Sequence, residues 1–281
     1  MSTQESLSAQ SLASWQAIAS YWDATISKTG NKYWHRLQEP SLTRLLSAHL
    51  SKPGCRVLDL ATGNGLCARW LMQNGAVHVL ATDGCEEMVQ IARSYAQADG
   101  TLVENGGRAE FRVADVTSER DLQGLVGSPE DKYDVVLMNM AIMDVPTLEP
   151  LAKALPGLLA KDGVFVATLL HPVFFTSGAS RNVELQPNPV TGELEVVRTK
   201  IIKDYMYVPP AMGIAVAGQP VKQVYYHRPM HELFTTFFRS GLVMDAMEEL
   251  AFTEEDAEAR IESSSNYTQL PAILAFRMRL L

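Results

Sequence analysis

The sequence predicts an α/β fold: a doubly wound, mostly parallel sheet of seven strands. A helical lid precedes this core, and a cap is inserted after the fifth strand. Three observations predict the core. Short apolar runs alternate with helix-period segments from Arg56 to Leu170. The first run is followed at once by a glycine turn and a helix, Gly63-Asn64-Gly65 leading to Cys67, Trp70 and Leu71 on one face. Acids follow three strand-like runs in register: Asp59, Asp83 and Asp115. That order of strand, turn and helix builds parallel sheets with ligands at the carboxyl ends of the strands.

With 281 residues the chain is long enough for a full core in one domain, read as lid 1–50, core 51–170, cap 171–228 and closing segment 229–281. Its 24 basic and 32 acidic residues give a net charge of −8, without the basic stripe that nucleic acid requires. No apolar run reaches the length of a membrane span, and the start of the chain has no signal-peptide layout, so a cytoplasmic protein is expected. The three cysteines, Cys55, Cys67 and Cys85, lack metal-ligand spacing and read as buried free thiols; no metal is expected. Asn266-Tyr267-Thr268 is a glycosylation sequon only in form.

In chain order, the Ser- and Gln-rich first ten residues are expected to lack structure. A helix begins near Ser11, with Trp15, Ile18, Ala19 and Trp22 on one face, and Gly30-Asn31 interrupts it. A short helix through Leu45, Leu46 and Leu50 reaches the Pro53-Gly54 turn. Val57, Leu58 and Leu60 form the first strand; Val77–Thr82 form the second, which ends at Asp83. There a carboxylate can hold the two hydroxyls of a ribose. Met88, Ile91, Ala92 and Tyr95 make the next helical face, with Glu86 and Glu87 in its first turn, where the helix dipole favours acids. Ala109–Ala114 is the third strand. Asp115 and the backbone N–H of Val116 then offer the acceptor and donor that match an adenine edge.

Tyr133–Met140 is the fourth strand. Asp144 is the expected N-cap of a helix carrying Leu148, Leu151, Ala152 and Leu155, with Pro156 near its end. The Lys161-Asp162-Gly163 turn leads into Val164–Leu170. In the insertion, the runs Glu195–Tyr207 and Val221–Tyr226 are expected to pair as a hairpin over the ligand edge. A helix with Leu233, Phe234, Phe237 and Phe238 ends at Gly241, and two strand-like runs, Leu242–Leu250 and Ala272–Leu281, close the chain.

Gly63-x-Gly65-x-x-Ala68 reads as a relaxed dinucleotide fingerprint. Asp59 fits it poorly, because a carboxylate beside a pyrophosphate repels it and suits a cationic ligand instead. Asp59-Leu60-Ala61-Thr62-Gly63-Asn64-Gly65 resembles the D-x-G-x-G-x-G motif of class I S-adenosylmethionine-dependent methyltransferases, with Ala61 at the first glycine. Ordinary backbone angles are expected at that alanine. Cys85 to Met88 resembles the family's second motif, and Tyr133-Asp134-Val135-Val136 its F-D-x-V segment. Met143-Asp144-Val145-Pro146, His171-Pro172 and Tyr226-His227-Arg228-Pro229 resemble a small-molecule branch, and the Asn-Pro-Pro-Tyr of base-modifying members is absent.

The resemblance implies a Rossmann-like methyltransferase fold closed by an antiparallel pair. It also implies S-adenosyl-L-methionine as cofactor, held by Tyr33, Asp59, Ala61, Thr62, Gly63, Asp83, Gly84, Met88, Asp115, Val116, Asn139 and Met140. Asp83 would take the ribose, Met88 would lie near the adenine, and Asn139 and Met140 would face the methionine half. A methyl on sulfonium is already activated, so alignment carries most of the chemistry. A base is needed only for an acceptor that keeps its proton. His171 is the expected base, or else a residue fixing the strand-to-cap turn; Trp22, Phe175 and Tyr226 are expected to approach a small-molecule acceptor. An NAD(P)-dependent oxidoreductase, although no Tyr-x-x-x-Lys couple is present, and a cofactor-binding protein without transfer activity remain the alternatives, as do monomer and homodimer.

Overall fold

A computed structural model describes residues 4–98, 108–216, 218–258 and 264–281. Helix α1 (Gln4–Ile26) is followed by a wide π-type turn, Trp34–Gln38, that runs into α2 (Glu39–Leu50). Then come β1 (Arg56–Leu60), α3 (Leu66–Gln73), β2 (His78–Asp83), α4 (Glu86–Ala98) and β3 (Arg108–Val113). A short α5 (Glu119–Gln123), unmarked in the sequence pattern, precedes β4 (Tyr133–Asn139). Helix α6 (Glu149–Leu158) and β5 (Leu159–Leu170) complete the parallel part. The insertion carries β6 (Ser180–Pro187), β7 (Leu194–Ile201), β8 (Ala211–Gly213) and β9 (Gln223–Tyr225). Helix α7 (Met230–Phe238), β10 (Leu242–Leu250) and β11 (Ile273–Leu280) follow.

The main sheet has the order β10-β11-β5-β4-β1-β2-β3. β1 to β5 are mutually parallel, and β11 and β10 close it antiparallel. Because side chains alternate along a strand, each strand feeds two cores. Val57, Val79, Phe111, Val135 and Val166 pack under α2, α3 and α4. Leu58, Leu80, Val136, Phe165 and Phe276 pack against α6 and α7, where the Phe165 ring lies 5.2 Å from that of Phe237. Burial on both faces explains the near-continuous apolar reading of the central strands.

Four expectations change. Residues 4–10 are helical, not unstructured, while 1–3 lie outside the described residues. Their order comes from tertiary contacts rather than from an apolar face: Ser8 bonds Asp115, and the Tyr226 hydroxyl donates to the Leu7 carbonyl (3.1 Å). The Lys161–Gly163 segment lies inside β5, where the pairing with β4 shifts register, as a bulge does. Asp144 caps nothing: α6 starts after Leu148 with no side-chain cap, and the Asp144 carboxyl is buried. The cap runs also find other partners, β7 pairing with β6 and β9 with β8. Pro187 is tolerated as the last residue of β6, and Asn188 closes that hairpin by accepting from the N–H groups of Val190 and Thr191.

Candidate functional site

At the carboxyl ends of β1, β2 and β4, under α1 and the cap, lies a cavity of about 650 Å³. Its floor begins at Asp59, 1% exposed on β1. Asp59 Oδ2 accepts from Thr62 Oγ (2.5 Å), while Oδ1 is buried and makes no hydrogen bond among the described residues. Burial pushes this carboxyl up to about 7; the Thr62 bond opposes that shift and the Asp83 charge adds to it. The turn that follows is left-handed at three positions: Ala61 (φ +53°), Gly63 (+58°) and Gly65 (+76°). Ala61 therefore departs from the ordinary angles expected of it, at a cost of about 1–2 kcal/mol for an L-residue. A Cβ on Gly65 would stand 3.0 Å from that of Ala92, whereas one on Gly63 would point into open cavity. Gly63 is thus the place where a ligand can approach the backbone.

Asp83 closes β2. Its Oδ2 accepts from Gly63 N–H (2.9 Å) and its Oδ1 from Cys85 N–H (2.8 Å), which leaves one lone pair on each oxygen. Burial raises it to about 6, the two backbone donors oppose the shift, and Asp115 adds to it. Asp115 Oδ1 accepts from Thr117 N–H and Oγ (both 2.8 Å), and its Oδ2 accepts from Ser8 Oγ (2.9 Å). Gly84, Met88 and Val116 line the same end, and Leu12 of α1 packs 2.6 Å from where a Gly84 Cβ would stand. At the β4 end, Asn139 receives Thr168 Oγ (2.6 Å) and donates to Gln38 Oε1 (3.0 Å). Met140 then turns with φ +55°, held by its N–H to Thr168.

The cover is tied to this floor by side chains. Asp23 of α1 accepts from Asn64 Nδ2 (2.9 Å) and from the Tyr95 hydroxyl (2.8 Å). Trp22 stacks on Trp15 (5.5 Å) and donates to Gln223 Oε1 of β9 (3.3 Å). Tyr33 meets Phe252 edge-on (5.0 Å), and Phe175 stacks on Tyr267 (5.5 Å). Each cofactor-side residue expected from the sequence lines the cavity, as do Trp22 and Phe175.

Two expected residues do not. His171 is 1% exposed and turned into the fold: its Nε2 lies 2.8 Å from Glu249 Oε1, and its Nδ1 accepts from Val173 N–H (3.2 Å). With Nδ1 accepting, the neutral ring donates through Nε2, and burial holds its pKa below the usual histidine value. It fixes the strand-to-cap turn, so the expected base is corrected to a positioning residue. Tyr226 is buried against α1, because alternation along β9 sends Gln223 and Tyr225 to the cavity and Val224 and Tyr226 away from it. Gln38, Asp144, Gln223 and Tyr225 were missed. Gln223 and Tyr225 share a local signal, the period of two in their strand; Gln38 and Asp144 have none. No group of metal-ligating side chains occurs among the described residues, and no helix among them is long and apolar enough to cross a membrane.

Residues 57–163 match a family described as "Methyltransferase domain". Among curated relatives, a ubiquinone biosynthesis O-methyltransferase of Xanthomonas axonopodis pv. citri is 29% identical over 150 residues, 53% of this chain and 56% of that protein. One from Neisseria meningitidis is 26% identical over 156 residues, 52% of this chain and 60% of that protein. The chain therefore spans little more than half the length of these relatives. Among solved structures, an S-adenosylmethionine-dependent methyltransferase from Mesorhizobium loti superposes with TM-score 0.63 at 24% identity, covering 90% of this chain and 100% of that one. A complex described as DhpI-SAM-HEP gives TM-score 0.61 at 19% identity, covering 99% and 100%. The domain match over residues 57–163 agrees with the motif at Asp59–Gly65, and the superpositions show that the chain shares its fold with S-adenosylmethionine-dependent methyltransferases.

Proposed function

We propose that the chain transfers a methyl group from S-adenosylmethionine to a small organic acceptor by direct displacement. One observation carries the reading: a buried carboxyl oxygen, Asp59 Oδ1, has no hydrogen-bond partner among the described residues, on a floor where β2 and β3 also lead to acids, Asp83 and Asp115. An uncompensated buried acceptor is costly unless a cationic or donor ligand completes it. The cofactor brings an ammonium, a sulfonium and no phosphate, and its methyl is the group transferred. A pyrophosphate would meet the same acids with like charge, which disfavours a nicotinamide dinucleotide.

In this reading Asp59 and the Gly63 turn hold the methionine end, and Asp83 receives the ribose through its two remaining lone pairs. Asp115 and Val116 face the adenine, with Ser8 yielding or sharing Asp115 Oδ2. Asn139 and Met140, fixed by Thr168, set the wall beside the methyl. Tyr33, Trp22 and Phe175 exclude water and give the acceptor an apolar seat. A role in the cytoplasm is supported by three buried free thiols, which suit a reducing compartment. Calorimetric titration with S-adenosylhomocysteine tests the reading: wild type binds it and Asp83→Ala does not. Tight binding by Asp83→Ala would refute the assignment of Asp83.

A further inference from the structure

The buried carboxyl of Asp144 is not among the groups assigned to the cofactor, yet core, lid and cap meet around it. Its turn, Ile142–Asp144, is clamped by Arg228, which donates to the carbonyls of Ile142 (3.1 Å) and Val145 (2.7 Å). Ser11 of α1 donates to the Asp144 carbonyl (2.6 Å). Gln223 Nε2 of β9 donates to Asp144 Oδ1 (3.1 Å), while Gln223 Oε1 accepts from Trp22 and from Gln219 Nε2 (3.2 Å). Asp144 lines the cavity, and its Oδ2 has no hydrogen-bond partner among the described residues. Tyr225 lines the cavity from the same face of β9 as Gln223. Its ring packs on Gly213, where a Cβ would stand 2.7 Å from it, and its hydroxyl makes no hydrogen bond among the described residues. Two oxygens without hydrogen-bond partners among the described residues thus belong to side chains from different segments that line one cavity.

We infer that Asp144 and Tyr225 read the acceptor: Asp144 Oδ2 takes the proton of a weakly acidic hydroxyl, phenolic or enolic, and Tyr225 donates a hydrogen bond to that oxygen. The acceptor is then a small hydroxyl compound with an apolar body. This rests on the methyl-transfer reading above. The acceptor oxygen forms its new bond to the methyl carbon with a lone pair, the carbon–sulfur bond breaks with its pair going to sulfur, and the hydroxyl proton goes to Asp144. The surroundings raise both groups, and Asp144 remains the first to ionise. Burial first, opposed by the Gln223 bond and aided by the Asp83 charge, raises Asp144 to about 8. Burial, then the Asp144 charge, keeps Tyr225 a protonated donor. Tyr226 and Arg228 are the other ionisable groups beside this turn. A base near 8 lies about two units below a phenol of pKa ~10, where an ordinary aspartate would lie about six below.

The test compares wild type, Asp144→Asn and Tyr225→Phe. Each is titrated with S-adenosylhomocysteine, then with phenol and with its methyl ether in the presence of S-adenosylhomocysteine. Each is also assayed for methylation of substituted phenols, amines and thiols from about pH 6 to 9. All three bind S-adenosylhomocysteine within about twofold, and wild type prefers phenol to the ether by about tenfold, a preference both variants lose. Wild-type phenol methylation rises with pH to a plateau set near 8; Asp144→Asn falls about 100-fold and loses that inflection. If Asp144→Asn fails to fold, the phenol preference of Tyr225→Phe decides alone. Turnover of amines or thiols but not phenols, or an unchanged pH profile in Asp144→Asn, overturns the inference. Loss of S-adenosylhomocysteine binding in Asp144→Asn overturns it too, by placing that carboxyl with the cofactor. If wild type itself fails to bind S-adenosylhomocysteine, the methyl-transfer reading falls, and this inference with it.

Discussion

The floor of the cavity and its cover are held together by different kinds of bond. On the floor, Asp83 grips the backbone N–H groups of Cys85 and of Gly63 in the turn after the neighbouring strand, and Asp115 grips that of Thr117. In the cover, side chains far apart in sequence grip one another: Trp22 with Gln223, Gln223 with Asp144, Ser8 with Asp115. A backbone donor stays in place whatever the side chains do, so the floor is preorganised. A side-chain clasp depends on every member being present and in its rotamer. The floor should therefore set whether cofactor binds, and the cover should set how long it stays and what it meets.

Asp83→Ala should break this contrast most sharply. It strands two backbone N–H groups and removes the ribose acceptor, for a loss of at least 100-fold in S-adenosylhomocysteine affinity, about 3 kcal/mol. Next, pH should separate the regions. Asp59, Asp83 and Asp144 all have folded pKa values raised above the ordinary one, to about 7, 6 and 8. The folded chain then binds more protons than the unfolded chain, and the stability they contribute is lost as pH rises through those values. Thermal melts of the unliganded protein should show Tm falling between about pH 5 and 8 as several kcal/mol of stability are lost, on the order of 1.4 kcal/mol per group and pH unit, with S-adenosylmethionine restoring more of it at the upper end. A flat profile would mean that these acids ionise without penalty.

Gln223→Leu should act on the cover alone. It removes the central member of the clasp, and S-adenosylhomocysteine should leave about tenfold faster in stopped-flow displacement, with the association rate little changed. The smallest effect is expected at His171→Gln. Equilibrium denaturation should show a loss of about 1 kcal/mol, while cofactor affinity stays within about twofold. A large loss of affinity there would return His171 to the site.

The same contrast explains what the sequence disclosed. The sheet, the two cores and the floor were legible because strand-end position is periodic and local: Asp59, Asp83, Asp115 and Asn139 each follow a recognisable apolar run. The cover was legible only in outline, because its clasps join residues between 41 and 201 positions apart. The Ser-rich start of α1 has no apolar face to announce it, and Ser8 and Ser11 are buried only by meeting Asp115 and the Asp144 turn. The sequence leaves both readings of His171 open, because its place at the end of β5 is the same whether the ring turns to the cavity or into the fold. Glu249, which decides the matter, lies on β10. Asp144 was read as a helix cap for want of any local sign that Gln223 would cover it.

The central claim is that acids at strand ends hold a phosphate-free, cationic adenosine ligand and turn away one that carries phosphates. Calorimetry of the wild-type chain with S-adenosylmethionine and, separately, with NADH tests it most directly. The account predicts saturable, stoichiometric binding of S-adenosylmethionine and none of NADH at equal concentration. Binding of NADH that S-adenosylmethionine displaces, or silence with S-adenosylmethionine, would contradict it.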